Sequence, residues 1–356
     1  MQGRSPLDVI KPEVRELSAY TLKHTQADVK LDQNENSYEL PEPLKRQVVD
    51  RVLARPWGRY PEFVPSAMTN ALAKFTNWPG EGILVGNGSN ELIQSTLSVT
   101  LGPGRTLAVP QPTFTLYKLM SSVLQSRMLA VPLKSDLSFD VPALRDAARS
   151  ADVVVICSPN NPTGCLLSHE ALTQVLEEAK GLVVVDEAYH EFSRQTVVDL
   201  LPRFRNLVVL RTLSKAMSLA ALRFGYLMTH PEIAREIYKG KLPYNVNVFT
   251  LAAAEAVIEQ REMLNDAIGR VIAERDRLMA ELQKRPKLEA FPSTANFILI
   301  RTAQPAKELF EAILSQGVLV RDVSSYPMLE RCLRVTVGLP AENARFLQAL
   351  DRALEK

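Results

Sequence analysis

Glycine is scarce in this chain, with 15 among 356 residues, about 4% against a usual ~7%. Six of the 15 fall between Gly80 and Gly104. A chain so sparing with glycine places it where the backbone demands it. Cysteine is scarcer still. Cys157, Cys165 and Cys332 are odd in number and show no CxxC spacing. That excludes a disulfide framework or a cysteine zinc site, and reads as the reduced thiols of a cytoplasmic protein. Four scattered histidines, His24, His169, His190 and His230, form no HExxH pattern, so no metal is expected. No apolar run approaches the roughly eighteen residues of a membrane span, and the first 30 residues lack the apolar stretch of a signal peptide. A charge excess is missing too. Lys plus Arg number 42 against 40 Asp plus Glu, a net +2, which argues against a nucleic-acid partner, since such a partner normally needs a concentrated basic face.

What remains is ordinary globular material, 46% apolar and 23% charged. At roughly 150 residues per domain the length suits two units, large enough to bury roughly three quarters of the surface and enclose a site. From about residue 83 to 230, short apolar runs alternate with longer amphipathic stretches. The runs are Ile83–Val85, Leu107–Val109, Val153–Ile156, Leu182–Val185, Leu207–Leu210 and Tyr226–Met228. Apolar throughout and too short for helices, they read as strands covered on both faces. Helical segments between them, such as Ser89–Leu101, Val141–Arg149 and Ser168–Lys180, make the fold class α/β with a doubly wound, mainly parallel sheet. Beyond Pro243 one long helix is expected over about Val248–Lys284, with Leu251, Ala254, Val257, Ile258 and Met263 on its apolar face, stopped by Pro286. A smaller α+β unit follows, with strands at Phe297–Ile300, Val318–Val320 and Leu333–Val337 and helices near Ala306–Ser315 and Ala341–Leu354. The extended first 45 residues are expected to pack against it.

In a doubly wound sheet the ligand sits at the carboxyl ends of the strands, so the residues after each run carry the chemistry. They are Cys157-Ser-Pro-Asn-Asn-Pro-Thr-Gly164, Asp186-Glu-Ala-Tyr189, Arg211-Thr-Leu-Ser-Lys215 and Gly86-Asn-Gly-Ser-Asn-Glu91. The last is a small-residue turn entering a helix, where free amides and the helix dipole hold a phosphate. Gly86 and Gly88 are assigned to that turn. It matches neither a dinucleotide fingerprint nor a P-loop, which excludes a nucleotide-dependent dehydrogenase. Thr212, Ser214 and Arg223 would add donors at the same edge. Asp186 closes an apolar strand and so needs a cationic partner. Lys215, at the same edge, has the chemistry of a nucleophile and base once desolvation and a nearby cation lower its pKa.

Together with Leu222-Arg-Phe-Gly225, these motifs resemble the fold type I pyridoxal-phosphate aminotransferases. More narrowly, the chain resembles histidinol-phosphate aminotransferases through Leu31-Asp-Gln-Asn-Glu-Asn36, Arg59-Tyr-Pro-Glu62, Pro243-Tyr-Asn-Val-Asn247 and Leu333-Arg-Val-Thr-Val-Gly338. The resemblance runs from about residue 20 to the C-terminus. It implies a large cofactor-binding domain over 46–284 and a small domain formed by 1–45 and 285–356. It makes pyridoxal 5'-phosphate the cofactor and Lys215 its attachment point, with Asp186 on the ring nitrogen, Tyr189 and Asn161 on the ring oxygen, and Phe114 stacked on the ring. Ser89, Asn90, Thr212, Ser214 and Arg223 would hold the phosphate, joined by Tyr60 from the partner subunit of a homodimer. Arg334 takes the substrate's anionic group with Arg321 as a second contact, and Tyr20, Asn36 and Tyr244 are further pocket candidates. The implied reaction moves an amino group from histidinol phosphate to 2-oxoglutarate. An aromatic or other amino-acid aminotransferase keeps the same catalytic residues, and a decarboxylase or lyase shares the scaffold. A non-catalytic ligand-binding regulator is the reading from another class, and intact Lys215, Asp186 and Arg334 argue against it.

Overall fold

The computed structural model describes residues 5–19 and 25–355. A seven-stranded sheet forms from β1 (Ile83–Asn87), β2 (Thr106–Gln111), β3 (Arg127–Pro132), β4 (Val153–Cys157), β5 (Leu182–Asp186), β6 (Leu207–Thr212) and β7 (Phe224–Thr229). Its spatial order is β1-β7-β6-β5-β4-β2-β3, parallel except for β7, which runs antiparallel to both β1 and β6. All six apolar runs are strands here, and β4, β6 and β7 are buried at every residue, as a sheet covered on both faces requires. β3 had no sequence signal for a physical reason. It is an edge strand paired only with β2, its residues are mostly half-buried or exposed, and Val131 alone is buried. From β2 the chain builds outward through β3 and then returns to β4 on the other side, so the strand order switches between β2 and β4, where such folds place a ligand.

The expected single helix over 248–284 is two helices, Val248–Glu259 and Glu262–Gln283. The first is buried on almost every side, with Leu251, Ala252, Ala253, Ala254, Ala256, Val257 and Ile258 in the interior. The second carries one apolar stripe, Leu264, Ile268, Val271, Leu278 and Leu282. Two such burial patterns need two axes, and the chain leaves the helix at Gln260 (φ −116, ψ 26). There the Gln260 amide donates to Gln47 and the Arg261 guanidinium lies 5.0 Å over the Phe75 ring. Met263, expected on the apolar face, is 44% exposed.

A second, antiparallel sheet holds β8 (Leu288–Ala290), β9 (Phe297–Thr302), β10 (Arg321–Asp322) and β11 (Cys332–Thr336) in the order β10-β11-β9-β8. Helices Ala306–Leu314 and Pro340–Leu354 bury Leu309, Ile313, Phe346 and Leu350 in its core. The expected strand Val318–Val320 is divided. Val318–Leu319 pairs in parallel with Val29–Lys30, whereas Arg321 and Asp322 pair with β11. The N-terminal segment is divided as well. Val29 and Leu31 join this second core, but Lys11 reaches the large sheet's side, its Nζ donating to the Val123 carbonyl at 2.8 Å. All three cysteines are free thiols. Among the described residues no helix is long and apolar enough to cross a membrane.

Candidate active site

A cavity of roughly 260 Å³ lies at the carboxyl ends of β4, β5 and β6. Cys157, Asp186 and Thr212 enter it from those strands, Ser89 and Asn90 from a helix N-terminus, and Asp32–Asn34, Arg321 and Arg334 from the second unit. The residues that follow the separate strands therefore converge on one space.

Asp186 is the last residue of β5 and 3% exposed. Its Oδ2 accepts from the Tyr117 hydroxyl at 2.7 Å and its Oδ1 from the Ala188 amide at 3.1 Å. Burial still pushes the carboxyl up to about 6, against the pull of both hydrogen bonds. A carboxyl so placed is stabilised by a cation supplied from the cavity. Lys215 lines the same cavity from the turn after β6, its Nζ donating to the Gln33 carbonyl at 2.8 Å. Burial and the neighbouring Arg334 cation bring the ammonium down to about 8, with Glu35 pulling the other way. Near neutral pH an appreciable share of this amine is unprotonated, as a nucleophile and base needs.

The helix Ser89–Thr100 begins after Gly88, whose φ of +77° suits glycine. A Cβ on Gly88 would sit 2.5 Å from Arg223 Nη2. Arg223 Nη1 donates to Ser214 Oγ at 3.1 Å and to the Ala220 carbonyl at 2.9 Å. Glu91 closes the turn, its Oε2 accepting from the Asn87 amide at 2.6 Å and from Asn245 Nδ2 at 2.8 Å. Ser89, Asn90, Ser214 and Arg223 thus form a cradle of donors around a helix N-terminus, suited to a phosphate. Two expectations change. Thr212 lines the cavity, but its hydroxyl donates to the Phe224 carbonyl at 3.1 Å and accepts from the Ser214 amide at 3.1 Å, so it shapes the turn carrying Ser214. Gly86 is dictated by the Leu92 side chain, 2.7 Å from where its Cβ would be, not by a ligand.

Gly225 backs the same cradle, and its Cβ would lie 2.3 Å from the Ser89 amide nitrogen. Gly225→Ala must push that amide out of line. We expect about 1–3 kcal/mol of destabilisation and at least about a tenfold loss of phosphate affinity, on the scale of one lost charge-assisted hydrogen bond. Gly102→Ala, which meets open space, is the control. Thermal melts and phosphate calorimetry of the two variants compare them, and equal behaviour would contradict the cradle's geometry.

On the opposite wall, Asn161 Oδ1 accepts from Arg334 Nη1 at 2.6 Å, and the Asp32 carbonyl accepts from Arg334 Nη2 at 2.6 Å. The Tyr189 hydroxyl accepts from Asn34 Nδ2 at 3.0 Å, and burial raises its pKa. Phe114 lines the cavity with its ring edge-on to Tyr117, centroids 5.7 Å apart. Arg321 and Arg334 are register partners on β10 and β11, and both line the cavity.

Three predicted residues stand elsewhere. Asn36 uses its amide structurally, Nδ2 donating to the Ala216 carbonyl at 2.9 Å and Oδ1 accepting from the Tyr38 amide at 3.0 Å. It therefore braces the Lys215 loop instead of facing the cavity. Tyr244 is 41% exposed and stacks on Tyr60 at 4.5 Å, on the outer surface. Tyr60, 81% exposed, does not line this chain's own cavity. Tyr20 lies outside the described residues. Sequence reasoning missed Asp32, Asn34, Tyr117, Cys157 and Tyr326. Asp32 and Asn34 sit within Leu31-Asp-Gln-Asn-Glu-Asn36, whereas Tyr117 lies in the first turn of the helix Leu116–Val123 and carried no sequence signal.

The profile of the family described as aminotransferase class I and II matches residues 27–350. A histidinol-phosphate aminotransferase of Chlorobaculum tepidum is 41% identical over 348 residues, 97% of this chain and 100% of that protein. One of Chlorobium phaeovibrioides is also 41% identical, covering 98% and 97%. The solved histidinol-phosphate aminotransferase of Sinorhizobium meliloti, in complex with pyridoxal-5'-phosphate, shares the fold at TM-score 0.86 and 20% identity, covering 98% of each chain.

Proposed function

Because the chain belongs to the class I and II aminotransferases, and within them to the histidinol-phosphate aminotransferases, we propose that it transfers the amino group of histidinol phosphate to 2-oxoglutarate. The observation that carries this choice of donor is the pair of guanidinium groups on β10 and β11. Like charges directly opposite on neighbouring strands repel, and Arg321 and Arg334 share one register position beside the cavity. A phosphate, with nearly two negative charges, offsets that repulsion better than a single carboxylate.

Pyridoxal phosphate is the cofactor, and the residues present fit it. The buried Asp186 carboxyl suits a protonated ring nitrogen, the cradle of Ser89, Asn90, Ser214 and Arg223 suits its phosphate, and the Lys215 amine suits its aldehyde. Phe114 would cover the ring, and Tyr189 and Asn161 would hold its oxygen. When bound, the cofactor supplies an electron-withdrawing ring that accommodates the electron pair left by a broken Cα–H bond. Lys215 Nζ takes the proton from the donor's Cα as general base and returns one as general acid. Asp186 holds its negative charge against the ring nitrogen throughout. Arg334 and Arg321 fix the donor's phosphate, so that the Cα–H bond is presented to Lys215.

The proposal includes a cytoplasmic homodimer, supported by the three free thiols and by an exposed aromatic patch of Trp57, Tyr60, Phe63 and Tyr244. Tyr60 would reach the partner's phosphate cradle from that patch. It also includes the division into a large domain, 46–284, and a small one, 1–45 with 285–356; a second apolar core built mainly from the latter supports it, with Leu278 and Leu282 of the long helix reaching into that core. The test is a donor screen on the purified holoenzyme. Loss of the cofactor's visible absorbance is followed with histidinol phosphate, phenylalanine, tyrosine and glutamate. Histidinol phosphate and glutamate are expected to discharge it, and phenylalanine and tyrosine to do so at least about tenfold more slowly, the scale of a lost charged contact. A response to the aromatic amino acids without one to histidinol phosphate would overturn the assigned donor.

A further inference from the structure

Asp32 is an anomalous charge in this cavity. It lines the space beside Arg334 and Arg321, yet the residue is only 6% exposed. Its Oδ1 is buried and accepts no hydrogen bond. Its backbone carbonyl is already occupied by Arg334 Nη2, so the side chain is not needed to hold that arginine. Its polar neighbours along the same wall are engaged: Asn34 with Tyr189 and Thr336, and Asn161 with Arg334. A buried carboxylate oxygen without a donor is costly, and in a pocket built for an anion its charge also opposes binding. Both costs are offset if the ligand brings a hydrogen-bond donor to that oxygen.

We propose that Asp32 is a specificity-determining residue whose carboxylate accepts a hydrogen bond from an N–H on the side chain of the amino donor. With the donor assigned above, on which the choice of ring rests, the N–H belongs to the imidazole. The phosphate is then held by the two arginines, and the ring is selected by the acid beside them. An acid at this position favours a ring that carries an N–H over an apolar ring of similar size, because the apolar ring leaves the carboxylate buried and unpaired.

The test is calorimetry on the holoenzyme with two unreactive ligands, imidazolylpropyl phosphate and propyl phosphate. The wild-type protein is expected to prefer the ring-bearing ligand by roughly 10- to 100-fold, the range for a hydrogen bond to an ionised partner. Asp32→Ala is expected to shrink that preference to within about threefold, beyond what the ring's apolar contacts add. Asp32→Asn, which keeps the shape and one acceptor, is expected to fall between them and covers a loss of folding in the alanine variant. A preference unchanged in both variants overturns the inference. So does an equal loss of affinity for both ligands, the sign of a purely structural role. The donor screen fails separately: a wild-type enzyme that does not convert histidinol phosphate removes the assigned donor, whereas one that converts it with an Asp32-independent ring preference removes only the role of Asp32.

Discussion

Lys215→Ala turnover is expected to fall on the order of 10⁴-fold or more, the range for removal of a positioned general base that is also the nucleophile. The reason lies in the site's arrangement. Among the described residues lining the cavity, Lys215 is the only lysine. Its pKa of about 8 follows from burial and from Arg334, and a replacement must reproduce both position and basicity. Lys215→Arg therefore does not rescue, because a guanidinium stays protonated at any working pH. The fold should survive either change, since the Nζ hydrogen bond removed is one to a backbone carbonyl, that of Gln33. Stopped-flow reaction with histidinol phosphate, beside a thermal melt, separates lost chemistry from lost structure. A variant that turned over at the wild-type rate would rule out Lys215 as the base.

Asp186→Asn is expected to move activity and stability in opposite directions. Transamination should drop by about 10² to 10³-fold, the usual effect of removing a preorganised charge. The cofactor-free protein should become more stable near pH 8. Because burial raises the carboxyl from 3.8 to about 6, the folded state binds more protons than the unfolded state between those values. Stability from this group is therefore lost as pH rises from about 4 to 6, and the full cost, about 3 kcal/mol, applies above 6. Asparagine removes that cost while keeping an oxygen for the Ala188 amide and a polar partner for Tyr117. The gain should shrink as pH falls through 6 towards 4. Thermal melts of the two cofactor-free proteins at pH 8 and pH 4.5 check the sign. A wild-type protein more stable than the variant at pH 8 would mean that Asp186 is satisfied by the protein itself and has no need of a ring nitrogen.

The central strands were legible because burial on both faces leaves uninterrupted apolar runs, and Asp186 and Lys215 stood out because each breaks such a run or follows it with a charge. β3 was silent because an edge strand with one buried residue carries no such pattern. The break at Gln260 was hidden because both helices are good helix formers locally, and only the difference in what they bury forces two axes. Tyr117 acquires its role from a partner 69 residues away, which no local spacing announces. Asp32 lies in a motif visible from the start, but its missing hydrogen bond exists only once the chain has folded around it. Asn36 and Tyr244 show the reverse case, residues within familiar motifs whose side chains are used for bracing and for the outer surface.

Lys215 is the residue proposed to hold pyridoxal phosphate, and every other role at the site depends on it. Borohydride treatment of the purified holoenzyme, followed by peptide mass mapping, tests this directly. One modified peptide is expected, carrying the reduced cofactor on Lys215, and none when a saturating amino donor is added before the reductant. Modification at a different lysine, or a protein that copurifies with no cofactor to fix, would contradict it.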